Sequence, residues 1–163
     1  MANASLTPFF YAVFYMRPSD AIGIYLKYIT PFSGRAKLIS PPVASSTNAG
    51  EGLSWFGEFI SGCSSCGIAG FTVHYADELT LFVTEAVAAA AQYGLTEVQL
   101  TELALYADIN GIADVSVTQT FLANVIPFLG STDGLTRYAY FMCAENYILT
   151  NGALNSVGSA YLS

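Results

Sequence analysis

Basic residues are almost absent from the middle of this 163-residue chain. No Lys or Arg occurs between Leu38 and Thr136, a stretch with ten Asp and Glu residues, and the formal net charge is −7. Nucleic acid and anionic lipid head groups both need clustered cations, so neither is a predicted partner. No stretch approaches the length of a membrane span. A neutral partner such as a polysaccharide is compatible with this charge.

The start of the chain lacks acidic residues, and the sequence as a whole lacks a metal-ligand pattern. No Asp or Glu precedes Asp20, and His74 is the only histidine. Cys63 and Cys66 form a CxxC without the second pair that a zinc site would want. We therefore predict no metal and no cofactor. The two cysteines are interpreted as a structural disulfide typical of an oxidising compartment, and a redox role is the weaker alternative.

Two further signals are missing. The apolar run that ends at Met16 is not preceded by Lys or Arg, so it makes no convincing signal peptide. No predicted strand is followed by a glycine-rich phosphate loop, which disfavours a dinucleotide-binding fold.

Apolar and aromatic residues are what the chain has in abundance. Apolar residues make up 53%, and the aromatics include 11 Tyr, 11 Phe and one Trp. This length suits one domain with a sizeable core, but it is short of the roughly 250 residues of a complete eight-unit barrel. The aromatic side chains can pack the core or stack on the flat apolar faces of sugars.

Strand-like and helix-like segments alternate four times, which predicts an α/β fold with a parallel sheet. The predicted strands are 36–40, 68–74, 98–101 and 136–141. The predicted helices are 18–28, 53–61, 79–93, 117–129 and 156–161.

Glu102 is the residue that most needs a chemical explanation. It lies at the end of the third predicted strand, after the run Glu97 to Thr101. In a parallel α/β sheet or barrel, the C-terminal ends of the strands carry the chemistry. An unpaired carboxylate is costly to bury, so a function or a partner is expected for Glu102.

The ensemble of these segments resembles the fungal alkali-sensitive-linkage-like glycosyl hydrolases, glycoside hydrolase family 128. The segments that carry the resemblance are Tyr28–Pro41, Gly52–Phe56, Cys63 and Cys66, Val73–Tyr75, Leu100–Glu102, Ile126–Leu129, Thr136–Phe141 and Leu154–Gly158. The resemblance implies an incomplete (β/α)8 TIM barrel of about the last four β/α units, acting on β-1,3-glucan. Residues 1–15 would be an aromatic lead-in and residues 16–163 a partial glycoside-hydrolase barrel. It also implies an extracellular or cell-wall location.

The resemblance assigns roles to individual residues. Glu102 takes the position of the catalytic nucleophile of a retaining hydrolase, and His74 lines the sugar site. Tyr75 and Tyr140, which stand where family members carry Trp, are expected to bind substrate. The family's acid/base glutamate lies in an Asn-Glu-Pro motif just before the segment matched by Met16, and this chain has no carboxylate there.

Several alternatives stay open. Asp77, Glu51 or Glu145 could substitute as the acid, although the geometric tolerance is tight. His74 could instead be a core histidine bonded to a neighbouring backbone, and Tyr106 could pack or stack. Trp55 is expected in the core.

Three interpretations of function follow. The chain is a β-1,3-glucanase with impaired or no activity, a non-catalytic glucan-binding or wall-associated remnant, or a truncated gene model. A half barrel would expose two sheet edges, so self-association into a homo-oligomer is also expected.

Overall fold

The computed structural model describes residues 16–75 and 79–163. Their fold is α/β with a parallel sheet, as the sequence predicts. The described helices are α1 (Pro18–Tyr28), α2 (Gly52–Gly62), α3 (Leu79–Gln92), α4 (Val115–Ser131) and α5 (Ser156–Tyr161). The described strands are β1 (Leu38–Ile39), β2 (Val43–Ala44), β3 (Ile68–Tyr75), β4 (Glu97–Leu103), β5 (Leu135–Tyr140), β6 (Leu149–Thr150) and β7 (Ala153–Leu154). The lead-in 1–15 lies outside these residues.

The main sheet runs β1-β3-β4-β5, and β2 also pairs with β3, all in parallel. β1 and β2 lie one after the other along the same edge of β3, and the sequence predicts only the first of them, as residues 36–40. Pro41 and Pro42 separate them, because proline has no N–H to donate to a ladder. The segment between β1 and β2 stays bonded to β3, since Ser40 Oγ accepts a hydrogen bond from Thr72 N at 3.2 Å.

β6 and β7 form an antiparallel hairpin that the sequence analysis did not predict. The turn residues Asn151 and Gly152 both have positive φ, 52° and 74°. This is the Asn-Gly signature of a tight hairpin turn, so a local signal for the hairpin was present.

The hydrophobic core lies on the helix side of the sheet. Phe56 of α2 stacks on Phe71 of β3 with ring centroids 3.7 Å apart, and both side chains are fully buried. Trp55 is also buried, as expected, and stacks on Phe59 at 5.2 Å. Tyr25 fastens α1 to the sheet, because its hydroxyl donates to Ile39 O at 2.8 Å.

Cys63 and Cys66 are joined in a disulfide, with their Cα atoms 5.3 Å apart. Both are buried where the chain turns from α2 into β3. The bond closes a very short loop, so it constrains the unfolded chain little and acts mainly on this turn.

The sheet face opposite the core, here called the open face, carries Gln99, Thr101, Arg137 and Ala139. Thr101, Arg137 and Ala139 are exposed. Neither the outer edge of β1 and β2 nor that of β5 pairs with another strand of the described residues. Within the same residues, no helix combines the length and apolar character that crossing a bilayer takes.

Candidate functional site

Three polar side chains meet at the C-terminal ends of neighbouring strands. Glu51 is on the loop after β2, His74 is near the end of β3, and Glu102 is near the end of β4. All three line one cavity of about 460 Å³. Ligand sites of parallel α/β sheets lie at this end of the strands, and the volume is typical of such sites.

An irregularity in β4 turns Glu102 toward the open face. Val73 pairs with Leu100, but the next residue of β3, His74, pairs with Glu102, so Thr101 is an extra residue in β4. Side chains alternate between the two faces of a strand, and one extra residue reverses the alternation beyond it. Glu102 therefore lies beside His74 at the cavity, and Leu103 is fully buried in the core.

His74 and Glu102 are hydrogen-bonded, with His74 Nδ1 and Glu102 Oε2 2.8 Å apart. The side chains are 24% and 32% exposed, so both remain accessible from the cavity. The imidazole donates from Nδ1, which fixes the carboxylate and leaves Oε1 of Glu102 open to a ligand. This geometry disfavours the alternative that His74 is a core histidine bonded to backbone.

Glu51 is held by its own loop. Its Oε2 accepts from Ser46 Oγ at 2.6 Å and from Asn48 Nδ2 at 3.0 Å. These bonds, first that from Ser46, lower the pKa of the Glu51 carboxyl below its ordinary value. Glu51 is therefore kept ionised, which is unfavourable for a residue that must deliver a proton.

The other candidate acids are not brought to the cavity within the described residues. Both carboxylate oxygens of Glu145 accept backbone N–H groups of the β6–β7 turn, from Asn151 and Gly152. Asp77 lies outside the described residues. Among those residues, no three His, Cys, Asp or Glu side chains are grouped as a metal ion would require.

The aromatic candidates are placed differently from one another. Tyr75 ends β3 opposite Leu103, and its side chain lies outside the described part of the structure. Tyr140 is on the helix side of the sheet, 7% exposed, with its ring 5.8 Å from that of Tyr161. Tyr140 does not line the cavity with Glu102. Tyr106, in a 3₁₀ turn after β4, is 51% exposed.

The apolar wall of the cavity was not foreseen from the sequence. Ile24 and Tyr25 of α1 contribute to it, together with Pro41, Pro42 and Trp55. The Pro41-Pro42 pair at a strand end was a usable signal, because prolines at the end of a parallel strand stand at the functional side of the sheet. The contribution of α1 depends on tertiary packing, for which the sequence carries no local sign.

The family model described as glycosyl hydrolase catalytic core matches residues 13–161. Among solved structures, the chain is similar to a curdlan-specific exo-β-1,3-glucanase of glycoside hydrolase family 128, subgroup III, from Blastomyces gilchristii, in complex with glucose. The identity is 35%, the TM-score is 0.79, and the match covers 90% of this chain and 62% of that one.

Two other solved structures of the same family are similar. A subgroup IV endo-β-1,3-glucanase from Lentinula edodes is 25% identical with a TM-score of 0.71, over 88% of this chain and 63% of that one. A subgroup VII oligosaccharide-binding protein from Cryptococcus neoformans is 23% identical with a TM-score of 0.65, over 90% and 59%. The second likeness shows the fold alone.

The chain thus spans between 59% and 63% of the length of these three solved proteins. No curated protein matches it. The family match extends over nearly the whole sequence and includes the strands that bring His74 and Glu102 together. On this evidence the chain belongs to the glycosyl hydrolase catalytic core family.

Proposed function

We propose that this chain forms about the last four β/α units of a (β/α)8 barrel and binds β-1,3-glucan at the C-terminal end of its sheet. Glu102 is the nucleophile of a retaining mechanism. The observation that carries the proposal is the His74–Glu102 hydrogen bond at the wall of the cavity. The 35% identity to a glucanase of the same family supports this choice of substrate.

The reaction assigns separate tasks to the two residues. The Glu102 carboxylate attacks the anomeric carbon of the sugar, and the bond to the leaving oxygen breaks as the glycosyl ester forms. His74 orients the carboxylate through Oε2, so Oε1 is the oxygen that attacks. Water then hydrolyses the ester and restores the carboxylate.

The leaving oxygen of a natural glucan needs a proton, and the described part of the chain supplies one poorly. No carboxylate precedes Asp20, and Glu51 is held ionised by Ser46 and Asn48. We therefore expect little or no turnover of laminarin by these 163 residues. A substrate with a leaving group that departs as a stable anion should still glycosylate Glu102.

A chemical-rescue assay tests this role. The protein is incubated with 2,4-dinitrophenyl β-laminaribioside, with and without azide. Glycosylation releases dinitrophenolate without a donated proton, and azide then attacks the glycosyl ester to give the β-glycosyl azide. Glu102→Gln should lower dinitrophenolate release at least a hundredfold, because an amide is a poor nucleophile. Glu85→Gln, an exposed change on α3, is the matched control.

Equal dinitrophenolate release by wild type and Glu102→Gln would contradict the nucleophile assignment. The second candidate function is a non-catalytic glucan-binding protein, favoured because no second carboxylate suited to proton donation is found among residues 16–75 and 79–163. Binding of laminarin without reaction of the activated substrate would select that alternative.

The remaining parts of the proposal concern context. Residues 1–15 form a lead-in distinct from the barrel part, 16–163. The partner is a neutral polysaccharide rather than nucleic acid, consistent with ten carboxylates and no Lys or Arg between Leu38 and Thr136. The place of action is extracellular or at the cell wall, in keeping with the disulfide between Cys63 and Cys66.

A further inference from the structure

We propose that Glu51 marks a second sugar subsite in the cavity, where its free carboxylate oxygen accepts a hydrogen bond from a glucosyl unit other than the one that reacts at Glu102. The inference rests on the proposed glucan binding and deepens it. It gives Glu51 a binding role in place of the proton-donor role considered from the sequence.

The loop around Glu51 leaves one carboxylate oxygen available. Ser46 Oγ and Asn48 Nδ2 both donate to Oε2, and no hydrogen bond within the described residues engages Oε1. Asn48 N also donates to Ser46 Oγ at 3.3 Å. The acceptor is therefore oriented before a ligand arrives, which reduces the entropy lost on binding.

The backbone next to Glu51 also fixes the position of this residue. Gly52 follows Glu51 with φ of +52°, and a Cβ there would lie 2.2 Å from Ser46 O and 3.0 Å from Ala44 O. Only glycine fits so close an approach of the loop to the start of α2. The Glu51 side chain is thus attached to a backbone with little freedom to move.

Glu51 and Glu102 reach the cavity from opposite sides of β3. Glu51 is on the loop after β2, Glu102 lies in β4, and these two strands pair with opposite edges of β3. Because Glu51 is held ionised, it is unsuited to protonate the oxygen that leaves at Glu102. Its place on the cavity wall suits contact with a neighbouring sugar unit.

The chemistry between the two carboxylates matches a chain of glucosyl units. Pro42 and Trp55 provide apolar wall next to Glu51, and a sugar ring presents apolar faces with hydroxyl groups around its rim. An ionised carboxylate is the strongest acceptor a protein can offer to such a hydroxyl. The lowered pKa of Glu51 keeps it in that form.

The test measures how affinity grows with oligosaccharide length. Laminaribiose, laminaritriose and laminarihexaose are titrated by calorimetry into wild type and Glu51→Gln. We expect Glu51→Gln to bind the hexaose about tenfold more weakly, and to lose most of the affinity gained between the shortest and longest ligands. Glu58→Gln makes the same change at an exposed position of α2 that does not line the cavity, and should match wild type.

Ser46→Ala is the second variant, and it keeps the Glu51 charge while removing its strongest anchor. About threefold weaker binding of the hexaose is expected, because the carboxylate loses its fixed orientation. If Glu51→Gln does not fold, wild-type affinity of Ser46→Ala would overturn the inference. If Glu51→Gln folds, affinities equal to those of Glu58→Gln across the series would overturn it.

The two proposals fail in different ways. Wild-type protein that binds none of the oligosaccharides and does not react with the activated laminaribioside would overturn the proposed function, and this inference with it. Wild-type protein that binds or reacts, together with an unaffected Glu51→Gln, would overturn the subsite alone.

Discussion

Two buried tyrosines differ in whether the side-chain hydroxyl has a hydrogen-bond partner, and this difference should change its effect on stability. Tyr25 is 4% exposed and donates to Ile39 O, and burial raises its pKa to about 12. Tyr140 is 7% exposed, but its hydroxyl has no hydrogen-bond partner among the described residues. Burial, with the nearby charge of Asp108, raises the pKa of Tyr140 as well. Both hydroxyls are therefore neutral, but only that of Tyr25 has a hydrogen-bond partner among the described residues.

Removing each hydroxyl should have opposite effects. Tyr25→Phe leaves Ile39 O without its donor and should lower the free energy of unfolding by about 1 kcal/mol. Tyr140→Phe removes an unsatisfied buried group and should leave that free energy unchanged or raise it by about 1 kcal/mol. Urea unfolding of the two variants and wild type gives the comparison. If Tyr140→Phe lowers the free energy of unfolding as much as Tyr25→Phe does, the Tyr140 hydroxyl has a hydrogen-bond partner and the expectation is wrong.

Individual site residues were predictable where the strand pattern determined their place. Glu102 and His74 follow apolar runs, so their arrival at the same end of the sheet was expected. The extra residue Thr101 was not expected, because a bulge depends on pairing with β3 and β5. The function proposed for Glu51 was also missed, since its bonds to Ser46 and Asn48 arise from a loop without a regular period.

At the scale of elements, α4 starts with a charged cap. Asp114 Oδ1 accepts from Ser116 N, Val117 N and Ser116 Oγ. The Ser116 side chain is the first cause of the lowered Asp114 pKa, followed by the two backbone donors. An anion at a helix N-terminus is also stabilised by the helix dipole.

Asp114→Asn should make α4 less sensitive to acid. The pKa of Asp114 in the folded state lies below its ordinary value of 3.8, so its charged form stabilises the fold above that value. This contribution disappears as the pH falls from 3.8 through the folded-state pKa. Asparagine still caps the helix but has no proton to gain.

The measurement is the urea concentration at which half of the protein is unfolded, and the quantity compared is its change between pH 6 and pH 3. Wild type should lose more stability than Asp114→Asn over this interval. Asp133→Asn, an exposed change just beyond the C-terminal end of α4, is the control and should retain the wild-type change. An identical change in all three proteins would contradict the assigned contribution of Asp114.

A second acidic residue links the segment after β4 to the same helix. Asp108 is 1% exposed, and its Oδ2 accepts from Thr118 Oγ1 at 2.6 Å. Its Oδ1 accepts from Ala113 N at 2.9 Å. The chain that leaves Glu102 is therefore anchored to α4 only a few residues later.

Most elements were predicted to within one or two residues, because their periodicity and boundary residues agree. Gly94, with φ of 71°, follows α3, whose predicted end at residue 93 is one residue beyond the observed one. Only β1 was predicted, as the strand 36–40, and β2 was missed because Pro41 and Pro42 come between them. The chain instead continues along β3 beyond the prolines, since Ser40 hydrogen-bonds to Thr72 of β3 between the two short strands.

On the scale of the whole molecule, charge is strongly segregated. Four of the five basic residues lie between Arg17 and Lys37, on the α1–β1 side of the sheet, whereas 11 of the 12 carboxylates come later in the sequence. Lys37 pairs with Glu97, and Arg17 pairs with Asp20. Lys27 has no carboxylate within ion-pair distance among the described residues.

We propose that two copies of the 163-residue chain associate through their sheet edges. The basic α1–β1 side of one copy would face Asp133, just before β5, and other carboxylates beyond residue 38 of its neighbour. Light scattering at micromolar concentration should give a mass above that of one 17.3 kDa chain. The association should weaken at 1 M salt, where the screening length falls to about 3 Å. A monodisperse monomer at low salt would contradict it.

The extra residue in β4 has a consequence for how this protein can vary. Thr101 is exposed on the open face, so many residue types could replace it with little effect on packing. Its deletion would leave Leu100, Glu102 and Leu103 as a regular run opposite Val73, His74 and Tyr75, so Glu102 would stay on the open face and Leu103 in the core. Natural variants are therefore expected to differ freely in the identity of residue 101, or to lack it, while Glu102 stays opposite His74.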